Sequence, residues 1–130
     1  MIYALLFPLL SSVIIPQDIT AVIDETSETV HREKIETRDV PHTVACNCVL
    51  TAKTRRPDIP LIDASMFVPS TTTPFIGAIA VMRYPSGAHH VAYVEGIGDG
   101  YVDLYHGNKE PCQITRERIS FPNKRFQGFL

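Results

Sequence analysis

The sequence has little excess charge of either sign: 12 Lys and Arg stand against 14 Asp and Glu, which gives a formal net charge of -2 at pH 7. Nucleic-acid-binding domains carry clustered basic residues, so this composition argues against a nucleic-acid partner. The short basic run at Lys53, Arg55 and Arg56 is typical of a solvated helix end, where cations complement the helix dipole. With 130 residues and a hydrophobic fraction of 45%, the chain is expected to form one domain with a single modest core.

A long uninterrupted hydrophobic run is also missing. The most apolar block, residues 1–15 (MIYALLFPLLSSVII), contains Pro8 and is shorter than the roughly 20 residues that a bilayer-crossing helix needs. As a secretory signal it lacks a Lys or Arg ahead of the apolar run and an A-x-A site after it. A signal, a short anchor to a membrane or particle, a buried packing segment, and a true start elsewhere all stay open as interpretations.

Cysteine is scarce and odd in number, with Cys46, Cys48 and Cys112. If one disulfide forms, a thiol stays free, and a free thiol in a small protein calls for an explanation. The count does not identify the redox compartment. A structural zinc site is a minor alternative, because C-x-C is tighter than the usual C-x₂₋₄-C spacing and the paired His89 and His90 point to opposite faces of a strand.

Three segments are predicted along the chain. Residues 1–16 form the apolar N-terminal segment, residues 17–42 a charged linker or N-terminal extension, and residues 43–130 the main domain. The charged segment could also form exposed strands or helical turns. Pro41 marks its boundary, because proline disfavours the continuation of regular structure.

The main domain is predicted to begin with one short helix and continue as a sheet. Thr43 or Asn47 can cap the helix and Pro57 stops it. Residues 57–75 hold four prolines and are expected to be loop. The predicted strands are Ile76–Arg83, His89–Glu95, Gly100–Tyr105 and Gln113–Ser120. Short connections favour an antiparallel meander, and a helix followed by such a sheet is an α+β arrangement.

Side-chain alternation brings possible catalytic groups together. His90 lies on one face of the strand HHVAYVE (residues 89–95), and His106 lies on one face of the next strand. Asn108 would join the face of His106 if the alternation continued past Gly107. A histidine can therefore meet an Asn or a second His near the helix that carries the cysteines. A thiol at a helix N-terminus, a histidine and a polar third residue are the groups that thiol catalysis uses.

The segments NCVLTAKTRRPDIP (47–60), GAIAVM (77–82), HVAYVE (90–95) and GN (107–108) resemble a CHAP domain, a cysteine, histidine-dependent amidohydrolase/peptidase. The resemblance spans about residues 44–129. It implies an α+β, papain-like (NlpC/P60-like) fold, in which an N-terminal catalytic helix packs on an antiparallel β-sheet.

The resemblance also implies roles for individual residues. Cys48, preceded by Asn47, matches the nucleophile, and Cys46 does not. His90 matches the general base, and Asn108 matches the residue that orients His90. Asn47 would help form the oxyanion hole, together with the backbone N–H of Cys48.

The chain departs from the family's pattern at one position. The family has a Glu where this chain has His106, and a neutral imidazole cannot supply the fixed negative charge of a carboxylate. His106 is therefore a candidate for orienting His90 or for binding, and the departure puts activity in doubt more than fold. Tyr93 is predicted to pack or to form part of the groove wall.

The function that the resemblance implies is hydrolysis of an amide bond in bacterial peptidoglycan, by an N-acetylmuramoyl-L-alanine amidase or a peptide endopeptidase. The reaction would pass through a thioester and need no metal or other cofactor. The alternative is a weak or inactive module that binds cell-wall peptide or has a structural role in a phage particle. The small domain resembles those of bacteriophages, and we expect a monomer in the cell envelope or outside the cell, with residues 1–15 as a possible membrane or particle attachment.

Overall fold

The structure is a computed structural model, and it describes the backbone of residues 29–35, the side chain of Arg32, and residues 40–130. The described elements are β1 (Thr29–Ile35), α1 (His42–Ala45), α2 (Cys48–Lys53), a 3₁₀ turn (Ala64–Met66), β2 (Ile79–Arg83), β3 (His89–Gly98), β4 (Tyr101–Gly107), β5 (Ile114–Ser120) and β6 (Phe126–Phe129). The six strands form one antiparallel sheet in the order β1-β5-β4-β3-β2-β6. The predicted α+β class is confirmed at this level.

The predicted helix is divided in two at Asn47. This residue has an extended backbone (φ -141°, ψ 116°) and its side chain accepts hydrogen bonds from the backbone N–H groups of Val49 and Leu50. It therefore acts as the N-cap of α2. Thr43 lies inside α1, whose N-cap position is Pro41. The helix that carries Cys48 thus starts at Cys48 itself.

The four predicted strands are present as the meander β2 to β5, with shifted ends. The first starts later than predicted, because residue 77 is a glycine in the left-handed region (φ +93°) within the turn that precedes β2. One strand, β6, was not predicted from the sequence, and β1 lies in the charged segment for which strands were one of the alternatives. β6 pairs with β2 at one edge, and β1 pairs with β5 at the other. Since β1 falls within the predicted extension (17–42), the sheet begins before residue 43.

The two faces of the sheet bury different groups of residues. On the helix face, Val49 and Ala52 of α2 pack against alternate residues of β2 and β3, namely Ile79, Val81 and Val91. The opposite face, called here the far face, buries Ala80, Met82, Ala92, Val94, Val102, Leu104, Ile119 and Phe129. Strand alternation produces this separation, because successive side chains point to opposite sides.

A close approach joins α2 to the end of β4. A Cβ atom at position 107 would lie 2.1 Å from Thr51 Oγ1 and 3.2 Å from the carbonyl oxygen of Ala45. Only glycine fits there, so Gly107 lets the strand that carries His106 run directly against the helices.

Among the described helices, none is long and apolar enough to cross a membrane. Residues 1–16 lie outside the described residues. The interpretations of that segment as a signal, anchor or packing segment therefore stay predictions.

Candidate active site

One thiol of the chain is free and two are joined. Cys46 and Cys112 form a disulfide across 66 residues, which ties the end of α1 to the loop between β4 and β5. Cys48 is the free cysteine and is partly buried at the first position of α2. The disulfide therefore leaves Cys48 as the one sulfur of the three that can act as a nucleophile.

Cys48 packs against the apolar cluster of the helix face, which includes Val91 of β3. The backbone N–H and C=O groups of the even-numbered β3 residues point toward β2 and the residues just before it. Val94, for example, accepts the N–H of Gly77 and donates its own N–H to the carbonyl of Ala78. The N–H of Val91 consequently points toward β4. The β3–β4 ladder starts only at Tyr93, so the N–H of Val91 has no pairing partner in β4. This N–H acts instead on Cys48, whose thiolate it favours. The thiol thus reaches the residue that directly follows His90.

His90 is buried on the far face and contacts a second histidine. Its Nε2 lies 2.8 Å from Nδ1 of His106, and the ring centroids are 5.0 Å apart in an edge-to-face arrangement. Burial, together with the nearby His106 and Lys109, lowers the pKa of His90 to about 3. His90 is therefore a neutral imidazole at neutral pH, which is the form that can accept a proton.

The thiol is also neutral at rest. Burial raises the pKa of Cys48, against the effect of the N–H groups of Val91, Cys48 and Val49, which favour the thiolate. Since the thiol of Cys48 and the imidazole of His90 are both neutral, proton transfer has to accompany attack of the sulfur on a substrate. This differs from a preformed thiolate–imidazolium pair.

A third buried side chain continues the histidine pair. His106 Nε2 lies 3.1 Å from Oε1 of Glu117, and both side chains have 0% exposure. Lys109 Nζ contacts both carboxylate oxygens of Glu117, at 2.9 and 2.8 Å, and Arg32 of β1 contacts Oε2 at 2.9 Å. Four strands thus contribute to one polar cluster, defined as His90, His106, Glu117, Lys109 and Arg32.

A groove opens beside His90. It has a volume of about 310 Å³ and is lined by Tyr84, Ser86, Ala88, His89, His90, Asn108 and Lys109. The ring of Tyr84 lies 5.8 Å from that of His90, centroid to centroid. The groove is large enough for a short peptide side chain and gives access to the imidazole.

Asn108 lies just beyond the strand that carries His106, in the wall of the groove beside His90. The alternation does not continue past Gly107, because Asn108 adopts a left-handed backbone (φ 63°) and ends the strand. Its Oδ1 accepts the backbone N–H of Cys112, and the side chain is exposed in the groove wall. His106 takes the position next to His90 that was predicted for Asn108.

Two other predicted site residues have structural contacts. The side-chain oxygen Oδ1 of Asn47 caps α2. A role of Asn47 in an oxyanion hole would therefore fall to its side-chain nitrogen Nδ2. Tyr93 lies on the helix face, where it packs against the buried clusters around Val49 and Tyr105, and Arg55 lies 6.0 Å from its ring centroid. Tyr93 therefore packs beneath α2, away from the groove beside His90.

The sequence prediction missed Glu117. The strand ITRERIS (114–120) does contain a pattern that could have identified it. Glu117 alternates with Thr115 and Ile119 on the buried face of the strand, and the arginines at 116 and 118 lie on the other face. A carboxylate at an inward strand position requires a buried partner. That partner could not be identified without the register of β4 and β5, which places His106 opposite Thr115.

A possible metal-binding group differs from the one considered from the sequence. His42, Cys46 and Cys112 have ligand atoms within 4.8 Å of one another. Zinc binds thiolates, and both sulfurs are consumed in the disulfide, so the residues as they stand do not fit a zinc site.

The site consists of a free thiol at the start of α2, near the backbone N–H of Val91, and of a buried histidine, His90, whose Nε2 contacts a second histidine. These are the groups of nucleophilic cysteine catalysis. Comparison with protein-family models, with curated proteins and with solved structures found no match.

Proposed function

We propose that the protein is a cysteine hydrolase that cleaves amide bonds, with Cys48 as nucleophile, His90 as general base and His106 as the residue that orients His90. The observation that carries the proposal is the placement of the one free thiol against the backbone N–H of Val91, directly after a buried histidine held by a second histidine. A packing cysteine requires none of these neighbours.

The chemical steps follow from the protonation states. Neutral His90 accepts the proton of the Cys48 thiol as sulfur attacks the substrate carbonyl, and the resulting imidazolium returns the proton to the leaving amine. A thioester remains on Cys48. Water, deprotonated by His90, attacks the thioester and releases the acid and the free thiol. Val49 and Leu50 donate their backbone N–H groups to Asn47, so at the start of α2 the backbone N–H of Cys48 is the group suited to hold the oxyanion.

The replacement of the expected Glu by His106 is consistent with activity. His106 makes the 2.8 Å contact to His90 that an orienting residue must make. The negative charge that an imidazole lacks is present one residue further away, in Glu117. This observation favours an enzyme over a module whose catalytic residues have decayed.

The substrate that we propose is bacterial peptidoglycan, cut at the sugar–peptide junction or within the peptide. Support comes from the resemblance to CHAP domains, whose motifs GAIAVM and HVAYVE here run through β2 and the first half of β3 and border the site. The groove of about 310 Å³ beside His90 provides space for part of a wall peptide. We further propose a papain-like arrangement of the fold and action at the bacterial envelope or outside the cell.

The test is loss of turbidity of purified peptidoglycan, with His89→Ala as the matched control for His90→Ala. We expect Cys48→Ala and His90→Ala to lower the rate by a factor of about 10³ or more, since either change removes a reacting group. His89→Ala should change the rate only a few-fold. Mass spectrometry of the released fragments identifies the bond that is cut.

Other outcomes would count against the proposal. Clearing by Cys48→Ala at the wild-type rate would exclude Cys48 as the nucleophile. A folded wild-type protein that sediments with peptidoglycan but releases no fragments would instead be a binding module.

A further inference from the structure

Glu117 lies at the end of the polar cluster and is surrounded by positive charge. Its side chain is fully buried, yet Lys109 contacts both carboxylate oxygens and Arg32 contacts one. Arg32 also contacts Glu110 at 2.9 Å, so two cations and two carboxylates balance. A buried carboxylate held by two cations stays ionised and can only accept hydrogen bonds.

The ionised carboxylate determines which nitrogen of His106 carries the proton. Because Glu117 cannot donate, the 3.1 Å contact requires a proton on Nε2 of His106. Burial lowers the pKa of His106, although Glu117 opposes this effect, so the imidazole is neutral and holds a single proton. Its Nδ1 is then an acceptor.

The same reasoning extends to His90. The 2.8 Å contact between His90 Nε2 and His106 Nδ1 needs one proton, and His106 Nδ1 has none. His90 Nε2 must therefore donate. Since neutral His90 carries one proton, its Nδ1 has a free lone pair.

We propose that Glu117 is the positioning residue of the site: through His106 it fixes the tautomer of His90 so that Nδ1 is the atom that accepts the proton of Cys48. This inference rests on the proposed function and assigns to it a fourth residue, which does not touch the substrate. It also gives β1 a role, because Arg32 holds the carboxylate from the edge of the sheet.

The first test is ¹⁵N NMR of the histidine side chains in the wild-type protein at neutral pH. The expected spectrum shows His90 and His106 both neutral, both protonated at Nε2 and both unprotonated at Nδ1. Protonation of His106 at Nδ1, or a doubly protonated His106, would overturn the inference whether or not the protein hydrolyses anything.

The second test compares Glu117→Gln with Arg118→Gln. Arg118 is the next residue of β5 and pairs with Asp103 rather than with the polar cluster, so it is the matched control. With Glu117→Gln we expect kcat to fall by a factor of about 10² or more while KM changes little, because neutralising an orienting carboxylate allows the wrong tautomer. The ¹⁵N spectrum should then show His90 in mixed tautomers. Arg118→Gln should leave both unchanged.

The results separate the two proposals. If wild type hydrolyses peptidoglycan and Glu117→Gln does so at the same kcat, the positioning role is wrong while the proposed function stands. If Cys48→Ala is as active as wild type, the proposed function is wrong, and the tautomers still decide whether Glu117 sets the protonation of the histidines. If Glu117→Gln fails to fold, the wild-type spectrum decides.

Discussion

The far face of the sheet has an apolar end and a polar end, which are held together differently. At the apolar end, Met82, Val94, Leu104 and Ile119 fill space without directional bonds. At the polar end, the five residues of the polar cluster are joined by contacts of 2.8 to 3.1 Å. The polar end is buried at His90, His106 and Glu117 but open to solvent at Arg32, and it depends on the hydrogen-bond partner of each of its members.

The comparison shows where this fold tolerates change. Apolar packing is lost in proportion to the volume removed, because contacts are many and individually weak. A buried polar network fails at once when one member is removed, since the remaining donors and acceptors are left unsatisfied. The following predictions test this difference.

The largest effect is expected from acid, acting on the polar end. The folded-state pKa of His90, about 3, lies below its ordinary value of 6.5. Between these values the unfolded chain binds the proton more readily, so the stability is full above pH 6.5 and is lost as the pH falls toward 3. We expect urea denaturation to show a free energy of unfolding that falls by several kcal/mol over this window, at up to about 1.4 kcal/mol per pH unit for each histidine that must be charged.

His90→Gln is the variant that checks the source of this pH dependence. It should flatten the curve between pH 6.5 and 3, because Gln does not titrate. A curve as steep as that of wild type would show that other groups cause the acid sensitivity.

Glu117→Ala is expected to have the next largest effect. It leaves Lys109 and Arg32 facing one another and His106 without an acceptor, and breaking a buried ion pair costs about 3–5 kcal/mol. Chemical denaturation at pH 7 measures the loss. A loss below about 1 kcal/mol would mean that the cations rehydrate freely and that the network contributes little to stability.

Reducing the Cys46–Cys112 disulfide is expected to lower the free energy of unfolding by about 2–4 kcal/mol, because the bond restricts the unfolded chain. The disulfide ties down the loop that carries Lys109, so it supports the polar end. Thermal unfolding with and without reductant measures the effect. The double variant Cys46→Ser, Cys112→Ser should not respond to reductant; a response would point to Cys48.

Ile119→Val is expected to have the smallest effect, about 0.5–1.5 kcal/mol, because one buried methyl group is removed. Ile119 lies on the same face of β5 as Glu117, two residues along, which makes it the apolar counterpart. Its pH dependence should match that of wild type. An effect as large as that of Glu117→Ala, measured by the same denaturation, would remove the distinction between the two ends.

Much of the fold and part of the candidate site could be predicted from local sequence. Glycine and proline turns bounded the meander, and period-two alternation assigned His90 to one face of its strand and His106 to one face of the next strand. Asn47 was one of two residues predicted to cap the helix, and it does so because its side chain reaches the next N–H groups of its own chain. These features depend on neighbours within a few residues.

Asn108 shows how a short-range rule fails. Asn108 would have joined the face of His106 if the alternation had continued past Gly107, but Asn108 itself adopts a left-handed backbone and the strand ends before it. The identity of the residue beside His90 therefore depended on where the strand stops. The end of β4 is set by the turn that follows it, in which Asn108 accepts the backbone N–H of Cys112, as well as by the local sequence pattern.

The sequence by itself determined the α+β class, the central strands, Asn47 as one of two candidate helix caps, and the faces of their own strands on which His90 and His106 lie, because each follows from local backbone preference and side-chain alternation. Only the tertiary structure decided which cysteines pair, that β1 and β6 close the sheet, and that Glu117 meets His106, Lys109 and Arg32. Arg32 and Glu117 are 85 residues apart in the chain. Their contact exists because strand register brings them together, and no local pattern carries that register.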